Sequence, residues 1–403
     1  MKICLVNSEH PSSAGPGGIS SYVWQMAAAL NSAGHKVHLI VKQGMVLPLL
    51  PREIMVYVIG RVVLPWRFAK KILYRFLWNA NLYLEYSYSV YKTVEHIRLE
   101  YGLDIVELPE YNGEGYFLLK KKTVPVCIKL HTSAALVRKL NNAPNRFWTH
   151  RILDHMERVS IQSAGGVTSP SIDLIDKTAE LFGTRFRLHR VIPYPIKIPG
   201  NYNCLDTHNS AFLILCAGRI EKRKGFINLI EILPALQKRI GGIKIRFAGG
   251  DTNTGPGGVS CRSWMECRAQ ELKVLEFLEF TGSVDKDKLA EYYTSCDLFV
   301  IPSLYDNFPN TLLEAMAFGC PVVGSRTGGI KEIIQDQKNG LLCEPGNNID
   351  LLEKISILLE KREWAKTLGY NARKGIQEYC SPESIAGKTV DFYSKIISQR
   401  AGN

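Results

Sequence analysis

The chain has 403 residues, of which 46% are hydrophobic and 22% charged, the balance of a globular protein long enough for two domains. Its net charge of +12 indicates anionic partners, such as nucleotide phosphates, nucleic acid or an anionic membrane surface. Its 10 cysteines include no C-x-x-C pair, its first residues turn polar too early for a signal peptide, and no apolar run is long enough to span a bilayer. This pattern argues against a disulfide framework, a zinc site or a membrane span, so we expect a cytoplasmic protein.

The chain opens with a strand, a glycine-containing loop, a helix and a second strand, the pattern that begins a βαβ unit. The predicted ranges are Lys2–Val6, Ser8–Gly18, Ile19–Ala33 and Lys36–Val41. Gly17 and Gly18, at the helix entry, would let a backbone approach a phosphate. A Gly-Gly pair taken alone more often marks a simple turn.

Residues 45–100 do not show the pattern of compact βα units. Within them, Val62–Trp78 interleaves large apolar residues with basic ones, which predicts a basic amphipathic helix. Such a helix can lie on an anionic membrane surface, or it can pack its apolar face on its own domain. We expect membrane contact through residues 61–78, and no nucleic acid, because no recognised nucleic-acid-binding motif accompanies the charge.

Regular alternation resumes beyond residue 100 and continues through the second half of the chain. The predicted strands are Asp104–Leu108, Val124–Leu130, Gly165–Ser169, Leu188–Pro193, Phe212–Ala217, Ile243–Ala248, Leu278–Gly282 and Leu298–Pro302. Lys197–Ser210 is predicted to be a polar linker, and Gly250–Trp264 a flexible insertion. The chain becomes helical after Asp350, and the last predicted helix is Ser381–Ser398. Two βα domains joined by one linker imply a cleft.

The sequence Gly218–Gly225, GRIEKRKG, follows a strand and leads into a helix. Arg219 and Lys224 are candidates for a diphosphate site, because both cations would lie near the helix N-terminus. An exposed charged turn is a credible alternative for Lys222 and Arg223, and a less credible one for Arg219 and Lys224.

Cys296–Asn347 reads as strand, loop, helix, strand, glycine turn and helix. The first helix is predicted at Pro309–Phe318 and the turn at Gly328-Gly329. In open α/β sheets, ligands bind beyond the carboxyl ends of the strands. Asp306 and Glu314 would then accept hydrogen bonds from sugar hydroxyls beside an anion at the helix start. Alternatively, Asp306 caps the helix and Glu314 is solvated.

Asp285-Lys286-Asp287 is a D-x-D sequence, a pattern that can hold a divalent metal at a nucleotide diphosphate. It begins a predicted helix and alternates with lysines, so helix capping is the better interpretation. Because Arg219 and Lys224 supply the positive charge that a metal would bring to a diphosphate, we expect no essential metal.

These motifs, in this order, resemble the retaining glycosyltransferases of glycosyltransferase family 4, also called glycosyl transferases group 1. The resemblance covers nearly the whole chain and is weakest at residues 45–100. It implies an α/β protein of the GT-B fold, with two facing Rossmann-like domains and a cleft between them. The domains would be 1–196, on the acceptor side, and 197–380, which binds the donor. The C-terminal helix at 381–398 would cross back to the first domain.

The resemblance also implies roles for residues at matching positions. Arg219 and Lys224 would bind the donor diphosphate, Glu314 the ribose hydroxyls, and Asp306 and His131 the sugar. The remaining donor-site positions are Gly17, Gly18, Gly282, Ser283, Asn307, Phe308, Pro309, Asn310 and Thr311. Glu110 and Glu114, after the strand Asp104–Leu108, are candidates for the acceptor side or solvated loop residues.

Three positions depart from the family pattern. Asp306 replaces the usual glutamate, Asn307 a frequent glycine, and Tyr194-Pro195 a frequent Asn-Gly. These departures concern the sugar more than the type of reaction.

The expected reaction is metal-independent transfer of a sugar, with retention, from a UDP-sugar to an acceptor hydroxyl. UDP-glucose is the best guess for the donor, and a lipid-linked glycan in exopolysaccharide synthesis for the acceptor. Asp306, His131, Lys224 and Arg219 would carry the catalysis. The alternatives are a non-catalytic protein that binds nucleotide sugars or glycans, and a membrane-docking scaffold.

Overall fold

The computed structural model describes residues 1–7, 17–45, 47–60, 78–141, 147–200 and 211–401. The predicted basic segment up to residue 77, most of the first glycine loop and residues 201–210 of the linker lie outside this description. The chain divides into two compact units. The first contains the described residues up to Pro195 and the C-terminal helix from Pro382 onward, and the second is Ile196–Ser381.

The first unit is built on a parallel sheet that has seven strands among the described residues, in the order β3-β2-β1-β4-β5-β6-β7. The strands are β1 Lys2–Asn7, β2 Lys36–Lys42, β3 Met55–Ile59, β4 Ile105–Pro109, β5 Val126–Lys129, β6 Gly166–Ser169 and β7 His189–Val191. The inner strands read as apolar runs because helices cover both faces of a parallel sheet. Strand order reverses direction between β1 and β4, which makes their carboxyl ends the place where ligands bind in such sheets.

The helices of this unit pack on the sheet and deliver residues to its carboxyl edge. They are α1 Gly18–Ser32, α2 Trp78–Tyr101, α3 Tyr116–Lys121, α4 Ala134–Leu140, α5 Phe147–Ser163, α6 Ile172–Phe182 and the C-terminal helix Pro382–Ala401. The buried Tyr393 of the C-terminal helix donates a hydrogen bond of 2.8 Å to Glu107 in β4. Gly166 makes room for this helix, since an added Cβ would lie 2.7 Å from the Ile396 side chain.

Residues 45–100 are organised differently from the expectation. They contain β3, which pairs in parallel with β2, and α2, which buries Val90, Val94 and Ile97 completely. The expectation that this stretch lacks compact βα structure is therefore wrong. Its pattern was hard to recognise because α2 packs tyrosines, such as the buried Tyr86, on the core beside these aliphatic residues.

The second unit repeats the topology with six strands among the described residues, in the order β10-β9-β8-β11-β12-β13, all parallel. The strands are β8 Phe212–Ala217, β9 Ile243–Ala248, β10 Leu278–Gly282, β11 Leu298–Ile301, β12 Val322–Ser325 and β13 Leu341–Cys343. The helices are α7 Phe226–Arg239, α8 Cys261–Glu271, α9 Lys286–Ser295, α10 Asn310–Ala317, α11 Ile330–Ile333, α12 Asn348–Glu360 and α13 Arg362–Cys380. Here the direction reverses between β8 and β11, so the carboxyl ends of these two strands define the binding edge.

Two local predictions in this unit have different outcomes. Asp285 accepts a hydrogen bond of 2.7 Å from the Lys288 backbone N–H at the start of α9, which confirms its capping role. The prediction of a flexible insertion at Gly250–Trp264 is wrong for its last residues, because α8 begins at Cys261. The Ser260 side chain caps α8 and is itself bonded to Asp251 at 2.5 Å.

We predict that Gly249→Ala destabilises the second unit. An added Cβ would lie 1.9 Å from the Gly218 carbonyl oxygen, and backbone on both sides must move to admit it. We expect a loss of about 1–3 kcal/mol in the free energy of unfolding, measured by urea denaturation. Gly387→Ala is the matched control. It lies within the C-terminal helix with open space around it, so the same change should stabilise the protein by roughly 0.5–1 kcal/mol. Equal effects of the two substitutions would contradict this packing.

Candidate active site

The loops that follow β8 and β11 are joined through their backbones. Gly225 precedes α7 with a φ of +67°, and an added Cβ there would lie 2.1 Å from the Pro302 carbonyl oxygen. The Leu304 N–H donates a bond of 2.8 Å to the Arg223 carbonyl. Only glycine permits both the positive φ and the close approach. The GRIEKRKG loop and the loop carrying Asp306 therefore form one structure at the carboxyl edge.

Asp306 lies in a buried cluster of charges. One carboxylate oxygen accepts a hydrogen bond from the Lys224 ammonium, and the other lies 3.5 Å from a guanidinium nitrogen of Arg223. The same guanidinium reaches the Tyr305 carbonyl at 3.2 Å and the buried Glu221 at 2.6 Å. Burial alone would raise the pKa of Asp306, but Lys224 and Arg223 outweigh burial and hold that pKa below its ordinary value. The carboxylate is therefore ionised and paired.

These contacts contradict two of the alternative interpretations of the loops. Asp306 does not cap the following helix, because α10 begins only at Asn310 and no side chain caps it. Arg223 is not part of an exposed turn, since its side chain is largely buried between Glu221 and Asp306. No sequence motif indicated a functional role for Arg223 or Glu221. The alternating charges in GRIEKRKG were the available signal, because a buried charge requires an opposite partner.

Arg219 is the exposed cation of the cluster. Its side chain is 58% exposed and lies 3.5 Å from the buried Glu221. Because Arg223 also pairs with Glu221, at 2.6 Å, Arg219 can turn to an anionic ligand without leaving that carboxylate unpaired. Lys224, in contrast, is committed to Asp306 in this structure. The two residues predicted to bind a diphosphate thus differ in exposure, since Arg219 is exposed and Lys224 is buried against Asp306.

A third loop, after β12, closes on the other two. Gly329 donates its N–H to the Asp306 carbonyl at 3.0 Å. Added Cβ atoms at Gly328 and Gly329 would lie 1.8 Å and 1.9 Å from the carbonyl oxygens of Asp306 and Asn307. These glycines are required because two backbones touch here, at Asp306 and Asn307.

Glu314 lies in the second turn of α10 and is partly buried. The Tyr293 hydroxyl from α9 lies 3.0 Å from its carboxylate, and burial raises its pKa, although Tyr293 and Lys286 oppose the shift. The alternative that Glu314 is a freely solvated helix residue is therefore wrong. Its carboxylate is oriented by a neighbouring helix.

Gly282 ends β10 with a φ of +70°, and its carbonyl accepts a bond of 2.8 Å from the Gly249 N–H. The turn it forms with Ser283 therefore lies at the same edge of the sheet as Gly218 and Gly249. The assignment of Gly282 and Ser283 to the donor site remains a prediction.

In the first unit, His131 follows β5 and is packed between two tyrosines. Its Nδ1 lies 2.8 Å from the Tyr194 hydroxyl, and its ring meets Tyr22 edge-on at 5.0 Å between centroids. Burial and the nearby charge of Lys129 hold the pKa of His131 well below its ordinary value, so the imidazole is neutral. Gly17 is extended and precedes α1, which begins at Gly18. The loop before Gly17 lies outside the described residues.

Glu110 and Glu114 are both buried, so their interpretation as solvated loop residues is wrong. The carboxylate of Glu110 accepts the backbone N–H groups of His131, at 3.0 Å, and Thr132, at 2.8 Å. Glu157 from α5, which no sequence motif indicated, does the same for Ala134 and Ala135 at 2.7 Å and 3.2 Å, and it also accepts the Asn112 N–H at 2.9 Å. Burial raises the pKa of Glu110 to about 7 and that of Glu157 to about 8.

The part of the chain that the structure describes contains no group of three or more His, Cys, Asp or Glu side chains placed to hold a metal ion. No helix within the same residues is both long and apolar enough to cross a bilayer.

Solved structures that superimpose on nearly the whole chain identify its fold class. A sucrose-phosphate synthase from Thermosynechococcus elongatus superimposes with a TM-score of 0.76 at 21% identity, covering 99% of each chain. HepE from Anabaena, solved in complex with UDP-glucose, superimposes with a TM-score of 0.67 at 18% identity, covering 98% of this chain and 99% of HepE. The fold is therefore that of the GT-B glycosyltransferases, which confirms the predicted fold class.

Family models identify the chain more closely. Residues 16–198 match Glycosyltransferase Family 4, and residues 206–375 match Glycosyl transferases group 1. An uncharacterized glycosyltransferase of Methanocaldococcus jannaschii is 33% identical over 190 residues, which are 47% of this chain and 46% of that protein. Such matches span less than half the length of the curated relatives. The chain belongs to the group 1, family 4 glycosyltransferases, as its motifs predicted.

We predict that Glu157→Gln changes how stability depends on pH. Because the native pKa of Glu157 is raised to about 8, the folded protein binds a proton that the unfolded chain has released above its ordinary pKa. The contribution of Glu157 to the free energy of unfolding is fully present below that ordinary pKa and is lost as pH rises toward 8. Between pH 5.5 and 7.5, wild type should lose about 1.4 kcal/mol per pH unit more than the variant.

Urea denaturation of both proteins at pH 5.5, 6.5 and 7.5 measures this difference. Shared groups that do not interact with Glu157, such as Asp306, cancel in the comparison, whereas Glu110 does not, because its charge contributes to the raised pKa of Glu157. Parallel stability curves for wild type and variant would contradict the raised pKa.

Proposed function

We propose that this chain is an enzyme that transfers a sugar from a nucleoside diphosphate sugar to an acceptor hydroxyl. The observation that carries the proposal is the joined set of loops at the carboxyl ends of β8 and β11. There, the exposed Arg219, the buried Lys224 and the carboxylates of Asp306 and Glu314 lie at the switch point of an open α/β sheet. We propose UDP as the nucleotide and UDP-glucose as the first donor to test.

Arg219 and Lys224 would neutralise the diphosphate. Arg219 is exposed and presents a guanidinium, whose planar fork suits phosphate oxygens. The N-terminus of α10, at Asn310, adds the partial positive charge of a helix start. Charge that develops on the leaving diphosphate would thus be stabilised by groups already in place. We propose that no metal is essential, because these cations supply the required charge.

Glu314 and Asp306 would hold hydroxyl groups. Tyr293 orients Glu314 from one side, and we propose that the other side of the carboxylate accepts the ribose hydroxyls. Asp306 would bind the sugar, and its shorter side chain is matched by a loop held close by Gly328 and Gly329. His131, neutral and oriented by Tyr194, is proposed to contact the sugar as the resemblance implies. Retention would follow if the acceptor oxygen bonds to the anomeric carbon on the same face from which the diphosphate leaves, with the leaving phosphate taking the proton of the acceptor hydroxyl.

The acceptor belongs to the same proposal. We propose a glycan or lipid-linked glycan used in polysaccharide synthesis at the inner face of a membrane. The net charge of +12 and the basic segment at residues 61–78 support contact with an anionic surface.

The competing function is a non-catalytic protein that binds nucleotide sugars or glycans, and one experiment separates the two. The full chain is screened by thermal shift with UDP, GDP, ADP and their sugars, and each ligand that binds is then assayed for sugar release. A stabilising nucleotide sugar with release of its sugar supports the enzyme. Stabilisation without release in the presence of any tested acceptor supports the binding protein, and no stabilisation contradicts both.

We predict that Glu314→Ala weakens nucleotide binding and that Lys224→Ala slows turnover. Loss of Glu314 removes the proposed acceptor of two ribose hydroxyl bonds, and hydrogen bonds to a charged group contribute about 1.5–3 kcal/mol each. The dissociation constant for UDP should therefore rise at least about tenfold, measured by calorimetry. Lys222→Ala is the matched control, because Lys222 is the exposed neighbouring lysine. Donor turnover near normal in both site variants would refute the assignment.

We predict a separate behaviour for Asp306→Asn. The substitution removes the charge that holds Lys224, so the ammonium is released toward the diphosphate. UDP should bind as tightly as to wild type or more tightly, while turnover of the UDP-sugar falls. Calorimetry with UDP and a donor turnover assay on the same preparation measure the two effects. A parallel loss of UDP affinity and turnover would show that Asp306 serves the nucleotide and not the sugar.

A further inference from the structure

The backbone at His131 and Thr132 adopts a conformation that this sequence does not favour by itself. Thr132 has a φ of +142°, a region that residues other than glycine rarely occupy and β-branched residues avoid most. Its hydroxyl is bonded to the carbonyl of His131, which ties the side chain to the same turn. Something outside the turn must therefore hold it in place.

Glu110 supplies that restraint from the end of β4. Its carboxylate, with no exposed surface, receives the His131 N–H with both oxygens at 3.0 Å and the Thr132 N–H at 2.8 Å. Two successive N–H groups that converge on one anion form the concave arrangement known as a nest. Nests bind phosphates and carboxylates from outside in many proteins. Here an internal carboxylate fills the nest.

The contact between Glu110 and the backbone helps to orient the imidazole of His131. The His131 backbone is fixed at its N–H by Glu110, and its ring is fixed at Nδ1 by the Tyr194 hydroxyl, 2.8 Å away. The ring also stacks on Tyr194 with centroids 5.4 Å apart. Immediately beyond Thr132, the Ser133 side chain caps α4 through the Leu136 N–H. The backbone contact to Glu110 and the ring contact to Tyr194 together determine where the imidazole points.

We propose that Glu110 is a positioning residue for His131, acting as the resident anion of the His131–Thr132 nest. The inference rests on the proposed function only in that it gives the position of His131 a catalytic use. It assigns Glu110 a role different from acceptor binding, because both of its oxygens are engaged by backbone N–H groups. An anionic carboxylate is needed, since a neutral amide offers the nest only one acceptor oxygen.

A small carboxylate added from solution tests the proposal by rescue. Glu110→Ala leaves the nest without its anion and creates space next to it. Full-length protein labelled with ¹⁵N-histidine reports the His131 backbone amide, which is assigned by its absence in His131→Gln. We expect this signal to shift strongly in Glu110→Ala and in Glu110→Gln. Acetate should return the Glu110→Ala signal toward its wild-type position, whereas acetamide or chloride at equal concentration should not.

Glu157→Gln is the matched control, because Glu157 is an equally buried carboxylate bonded to Ala134 and Ala135 of the adjoining helix start. It should leave the His131 amide signal in place. If both variants shift that signal alike, or if acetamide restores it as well as acetate does, Glu110 contributes only to general stability and the proposal is overturned. A wild-type His131 signal in Glu110→Ala without acetate would overturn it as well.

Turnover provides the functional measurement on the same variants. Misplacing a group by about 1 Å can cost on the order of a hundredfold in rate, so Glu110→Ala should lose roughly tenfold to a hundredfold in kcat. The dissociation constant for UDP should change less than about twofold, because the proposed nucleotide contacts lie in the second unit. Acetate should restore part of kcat. Absence of turnover in wild type would refute the proposed function, while the amide signals would still decide the role of Glu110.

Discussion

The ion pair between Lys224 and Asp306, with Arg223 beside it, is the interaction on which the second unit's binding edge depends. It joins the loop after β8 to the loop after β11 in a place where neither charge is solvated. Removing one partner of such a pair costs about 3–5 kcal/mol because the other charge is left buried and unpaired. The two loops therefore behave as one body. The glycines of the third loop then have a fixed surface to pack on.

The same pair explains why one cation of the proposed diphosphate site is buried and the other is not. Lys224 and Arg223 together bring two positive charges to Asp306 and Glu221, so the buried cluster is balanced without a ligand. The charge of Arg219 is not needed to neutralise these two carboxylates. A diphosphate would therefore meet Arg219 first, and would have to compete with Asp306 for Lys224. Because Arg223 remains beside Asp306, the carboxylate would keep a counter-ion during that exchange.

Much of the fold could be predicted from the sequence, because parallel strands covered on both faces leave apolar runs that pattern analysis recognises. Both strand–loop–helix sites were found for this reason. The stretch containing β3 and α2 was missed, since α2 packs tyrosines as well as aliphatic residues on the core, which makes its amphipathic pattern less distinct. Glu157 was missed for a different reason. It lies 22, 23 and 45 residues from the N–H groups it binds, and no local pattern connects a helical glutamate to distant turns.

The two units solve the problem of ordering a binding edge by the same physical means. Each places irregular backbone at the carboxyl ends of its strands, and each stabilises that backbone with a buried carboxylate. In the second unit the carboxylate is paired with side-chain cations, so its pKa is held low and its charge is secure. In the first, Glu110 and Glu157 are held mainly by backbone N–H groups, which oppose burial only in part, and their pKa values rise toward neutrality. Order at His131 is therefore more sensitive to pH than order at Asp306.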